Sequence, residues 1–198
     1  MDKGNQSRLR EVYDINFRNA FNVMSQAAFW HVMNMFHIPE VDLLEQIYDS
    51  TTVHLVPNDT ESATITFDTG VAQGSITSLQ LFCVFINARL RMLTATGQNQ
   101  GISHGLQISK NQEDSSEDTD HGYQFNNLGF IDVISIFAET PQGMQTLLDV
   151  VQKFTTWCDT EINVQTTFLL VIDKDQKRRE SMPAPDPSLR INGERSKL

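Results

Sequence analysis

From Gly129 to Ala138 the chain reads GFIDVISIFA, an apolar run broken by one carboxylate, Asp132. A run of this kind belongs inside a folded chain, where a charge persists only if it is paired or bound to metal. Two readings satisfy both constraints. Either a tight turn between two strands lets Asp132 out to solvent, or the carboxylate is held within for a chemical purpose. A helix follows at once: Thr140 can cap it, Pro141 suits the first helical position, and Met144, Leu147, Leu148, Val151 and Phe154 recur at helical spacing.

The rest of the chain supplies partners for this unit. Glu11–Phe17 (EVYDINF) reads as a strand. Ser25 is placed to cap a helix whose inner face is Phe29, Val32, Met33 and Phe36, and Pro39 stops it. A second helix is predicted from Glu40 to Tyr48, with Val41, Leu44, Ile47 and Tyr48 inward. Thr51–Val56 and Ser62–Asp68 flank the turn cluster Pro57-Asn58-Asp59 as a hairpin would. After the small-residue loop GVAQGS (Gly70–Ser75), Ser78–Leu93 predicts a helix packed on several sides, with Leu79, Phe82, Cys83, Phe85, Ile86 and Leu90 apolar. The acidic run at 109–121 predicts a solvated loop, and Glu161–Val164 and Thr167–Ile172 two closing strands. From Asp173 onward Pro183, Pro185 and Pro187 interrupt a charged tail, 173–198, with Leu189–Asn192 as a last strand. This order predicts an α+β fold, helices on one face of a mainly antiparallel sheet, and excludes a doubly wound parallel sheet.

Composition narrows the function classes. With 15 Lys+Arg against 25 Asp+Glu the net charge is −10, which repels phosphate backbones at long range. The two cysteines, Cys83 and Cys158, lie apart in apolar segments and read as small hydrophobes in a reducing, intracellular setting, nuclear or cytoplasmic. No stretch is long and apolar enough for a membrane span, and the start lacks a signal peptide's apolar core. His31, His37, His54, His104 and His121 show no ligand spacing, GxSxG is absent, and GVAQGS lacks the Lys-Ser/Thr of a phosphate loop.

Two segments in order carry a resemblance. GVAQGSITSLQLF (Gly70–Phe82) is similar to GVxQGSPLSPLLF of reverse transcriptases, and FIDVISIFAETPQGMQTLLD (Phe130–Asp149) to their YADDxxIFAxTxEGLQxLLD. Upstream, INFRNAFNVMSQAAFWHVMNMFHIP (Ile15–Pro39) resembles DFxxAFDSVxHxxLWxxLxxxGIP, and downstream EINVQTTFLLV (Glu161–Val171) resembles LxxNxxKTxxLV. The resemblance is to RNA-directed DNA polymerases of non-LTR retroelement type. It implies a polymerase palm over residues 1–172, a ferredoxin- or RRM-like antiparallel sheet with helices on one face, with fingers and thumb largely missing.

In that family two Mg²⁺ ions, held by a first-strand carboxylate and an aspartate pair in the hairpin turn, carry out template-directed nucleotidyl transfer. By the resemblance the first-strand position is Asn16, the turn pair is Asp132 and Val133, and the lysine of the last motif falls on Thr166. Asp132 alone keeps a metal-ligating carboxylate, so metal binding is expected to be weak or absent. Asp14 shares the face of Asn16 but lies about 6.6 Å along a strand, too far to substitute for a ligand. Phe17, Gln73, Gly74 and Ser75 take the positions along template and incoming nucleotide.

Three functions follow as expectations: a palm-like fragment of a retroelement with lost activity, an active polymerase completed by flanking regions, or a non-catalytic interaction module on a palm scaffold. The family's partners are an RNA or DNA template-primer and dNTP. For so acidic a chain weak, salt-sensitive nucleic-acid binding is expected.

Overall fold

The computed structural model describes residues 10–54, 64–66, 69–72, 74–102, 106–108, 123–172, 190–191 and 194–195. Strand β1 (Arg10–Arg18) is followed by a short helix α1 (Ala20–Val23), then α2 (Gln26–Met35) and α3 (Val41–Asp49). Strands β2 (Thr52–His54) and β3 (Thr64–Thr66) pair antiparallel, and the long helix α4 (Ile76–Gln100) leads to a second pair, β4 (Leu106–Ile108) with β5 (Tyr123–Phe125). Then come β6 (Asn127–Phe130), β7 (Val133–Ala138), α5 (Pro141–Trp157), β8 (Glu161–Ile162), a 3-10 turn (Val164–Thr166) and β9 (Phe168–Ile172). A small pair, β10 (Arg190–Ile191) with β11 (Glu194–Arg195), ends the described residues.

The main sheet has the order β6-β7-β1-β8, with β9 also on β1 and every pairing antiparallel. Alternation along the strands decides its two faces. Tyr13, Ile15 and Phe17 of β1 and Ile134 and Ile136 of β7 are buried in the core with residues of α2, α4 and α5. Each fully buried side chain of this size contributes about 1.5–3 kcal/mol. Between them Asp14, Asn16, Val133 and Ser135 are half-buried on the opposite face. There the register sets Leu128, Ser135, Asp14 and Phe168 in one cross-strand row, with Leu128 and Phe168 exposed.

The caps act as their residue types predict. Ser25 accepts from the backbone N–H of Ala28 and Thr140 from that of Gly143, satisfying donors that a helix start leaves free. Gly70 is required where it stands. Its φ is +72°, and a Cβ there would lie 2.2 Å from the Phe21 carbonyl oxygen. The loop is stitched to α1 by Val71 N–H to Phe21 O at 2.7 Å and Gly70 N–H to Met24 O at 2.8 Å.

The α+β order and the antiparallel sheet agree with expectation; several details do not. Helix α4 runs from Ile76 to Gln100, longer at both ends than Ser78–Leu93, because Gly101, in the left-handed conformation, rather than the fading apolar pattern, ends it. Leu79 and Cys83 are exposed, since α4 buries Phe82, Phe85, Ile86 and Leu93 on one side. Ile47 is likewise exposed, because α3 anchors through Val41 and Tyr48 at its two ends. Helix α1 and strands β4 and β5 have no clear sequence signal. The acidic segment 109–121, Gln73 and most of the tail lie outside the described residues. Among the described residues no helix is long and apolar enough to cross a membrane.

Candidate functional site

The apolar run and its carboxylate resolve into a hairpin. Phe130 pairs with Val133, so Ile131 and Asp132 form a two-residue turn between β6 and β7. Such turns require a positive φ, which glycine usually supplies. Here Ile131 supplies it, at φ 53°, an unfavourable conformation for a β-branched residue and one that persists only where surroundings over-determine it. Asp132 is half-buried in this turn, so the tight turn of the first sequence reading is present, with the carboxylate neither fully exposed nor sealed within. Its backbone carbonyl accepts from Phe17 N–H at 3.3 Å, fixing the turn against β1.

The register places Asn16 directly opposite Val133. Asn16 and the adjacent pair Asp132 and Val133, more than a hundred residues further along the chain, thus meet at one end of the sheet. Asn16 and Asp132 line a cavity of about 310 Å³ that also takes in Phe17 through Phe21 and Asn163. Among the described residues, Asp132 is the only carboxylate on its wall. At the mouth Arg18 pairs with Glu161 at 3.3 Å, both largely exposed, an interaction worth about 0.2–1 kcal/mol.

Asn163 is the residue that sequence reasoning passed over. Its N–H donates to the Asn16 carbonyl at 2.8 Å, and its side chain accepts from Gln165 N–H, locking the 3-10 turn beside the cavity. The signal was available, because Asn163 occupies the asparagine of the LxxNxxKT pattern.

Other candidate positions stand elsewhere. Thr166 is exposed in the 3-10 turn and does not line the cavity. Gly74 and Ser75 lie at the start of α4, where Ser75 exchanges a hydrogen bond with Thr77 at 2.9 Å; neither lines the cavity. Phe17 contributes to the wall, but its ring is buried and stacks 3.7 Å from the Arg89 guanidinium. Asp14 is engaged by the Ser135 hydroxyl, which donates to its carboxylate.

The sequence profile of the family "Reverse transcriptase (RNA-dependent DNA polymerase)" matches residues 3–180, most of the chain. The chain belongs to this reverse transcriptase family. No curated protein matches it. Among solved structures it is similar to apo telomerase from Candida tropicalis truncated from its C-terminal domain, at TM-score 0.57 and 10% identity over 87% of this chain and 32% of that one. It is similar also to telomerase from the same organism in complex with the TWJ fragment of telomeric RNA, at TM-score 0.56 and 10% identity over 88% of this chain and 27% of that one. The likeness is one of fold, and the chain spans about a third or less of those telomerase chains.

Proposed function

We propose that this chain is the palm portion of a non-LTR-type retroelement reverse transcriptase whose metal site is disarmed. The observation that carries the reading is the apposition of Asn16 and Val133 beside Asp132. The family is generally Mg²⁺-dependent, and by resemblance these three positions would hold its two ions. Mg²⁺ takes hard oxygen ligands at 2.0–2.1 Å and is usually held through carboxylates. Asn16 offers a neutral amide and Val133 no donor, so the cavity provides one negative charge where a pair of divalent ions needs several. The residues present do not fit the ions, and no catalytic step is assigned through them. Asp14 does not make up the deficit, since Ser135 holds it in the neighbouring cross-strand row.

The open face of the sheet, with Phe130 and Phe168 exposed beside Asn16 and Asp14, is where a template-primer would lie by family resemblance, and Gln73, Gly74 and Ser75 would flank it. The charge of −10 opposes nucleic acid there, so binding is weak and salt-sensitive. The test is a Mn²⁺ titration of isotopically labelled chain and of its Asn16→Asp, Val133→Asp variant, followed by amide spectra. Broadening around Asp132 in the variant alone supports the proposal. Broadening there in the unaltered chain, or none in a well-folded variant, overturns it.

A further inference from the structure

The helical layer carries an apolar groove that the site above does not use. It runs along α2, α4 and α5, encloses about 540 Å³, and is floored by Phe36, Met92, Phe154 and Trp157. Met35, Met92 and Trp157 are 66%, 45% and 46% exposed, an unusual concentration of large apolar side chains in the open. Met adapts its shape to irregular partners, and Trp, Met and Arg are the residue types enriched where proteins dock.

Charge identifies the occupant. The chain is strongly acidic overall, yet among the described residues the charged and titratable groups lining this groove are Arg91, Lys153 and His31, with no carboxylate. The guanidinium of Arg91 lies 4.8 Å from the Phe36 ring centroid, and His31 meets Trp157 edge to face at 5.8 Å, so both are held at the rim by the aromatic residues of the floor. Asp149, one turn before Lys153, lines an adjoining hollow and is engaged by Gln145 at 2.8 Å. An apolar floor with a cationic rim matches an amphipathic helix that is acidic along its flanks, laid into the groove with anchors at i, i+3, i+4 and i+7. Nucleic acid fits less well, because the lining is mostly apolar and carries only two permanent cations, against the several that a phosphate backbone engages.

We propose that the α2–α4–α5 groove is a docking site for an acidic amphipathic helix of a partner protein. The inference is independent of the proposed metal-site loss, since the groove shares no lining residue with the Asp132 cavity. The experiment titrates the full chain with a synthetic helical peptide carrying leucines at i, i+3, i+4 and i+7 and glutamates on the flanks, and with a second peptide having lysines for the glutamates. Trp157 emission is the readout, because Trp30 is only 5% exposed. The expected result is binding of the acidic peptide at least about tenfold tighter than the basic one, weakening with salt. Arg91→Glu, Lys153→Glu should reverse the preference, with amide spectra confirming an unchanged fold. Equal affinity for both peptides, no binding, or a signal that persists in Trp157→Phe overturns the proposal. So does displacement of the acidic peptide by single-stranded RNA, which would make the groove a nucleic-acid site. Concentration-dependent dimerisation abolished by Met92→Glu also overturns it, by making a second copy the occupant.

Discussion

The guanidinium of Arg89 lies 3.7 Å from the centroid of the Phe17 ring, sealed inside the core, with its Nε and Nη2 lacking a hydrogen-bond partner among the described residues. Burial pushes its pKa down to about 9, opposed by the nearby Cys158. The stacking contact offsets only part of what desolvation costs an unpaired charge. Arg89→Met, which keeps length and contact with Phe17, should raise stability by about 1–4 kcal/mol near neutral pH, measured by urea unfolding. Because the folded pKa is depressed, the unfolded chain binds more protons above pH 9, and the native protein's stability rises relative to the variant there. The gap between them should narrow on going to about pH 10. A variant less stable at neutral pH would show that Arg89 has a partner when folded in solution.

Cys158 contributes the opposite slope. Burial is the main cause raising its thiol above 9.0, so the neutral form is favoured in the fold and its contribution is lost as pH rises through the folded value. Cys83 is exposed. Native protein should therefore take up a maleimide rapidly at Cys83 alone, with Cys158 reacting only at the rate of unfolding. Peptide mapping of the labelled chain separates the two; prompt labelling of Cys158 would contradict its burial.

Gly70→Ala combines a positive φ with a Cβ placed 2.2 Å from the Phe21 carbonyl oxygen. The loop cannot shift without breaking its hydrogen bonds to α1 at 2.7 and 2.8 Å. A loss on the order of 2–4 kcal/mol is expected, read as a lower midpoint in urea. Gly74, with φ +88° and nothing within 4 Å of a built Cβ, should lose less, about 1 kcal/mol, on the same change.

Restoring carboxylates at Asn16 and Val133 would set like charges beside Asp132. In chelator the double variant should be about 1–3 kcal/mol less stable than the parent, from mutual repulsion and loss of the half-buried valine. Added Mn²⁺ should recover that stability in the variant and leave the parent unchanged, because only a site with charge to neutralise gains by binding the ion. A melting series with and without metal checks both halves.

What the amino-acid order determined is what short-range physics controls. The Ser25 and Thr140 caps, the proline at the start of α5, and the strand alternation of β1 and β7 follow from neighbours a few residues apart, and all are present. The turn at Asp132 was one of two readings, because an apolar run does not say where its charge points. Tertiary structure alone decided the rest. It set Asn163 against Asn16 and exposed Cys83 and Ile47. It also buried Arg89 in the stripe of Phe82, Phe85, Ile86 and Leu93, where helical spacing puts an apolar residue. Periodicity reports which side chains share a face, whereas burial and contact depend on what another segment, distant in sequence, lays upon that face.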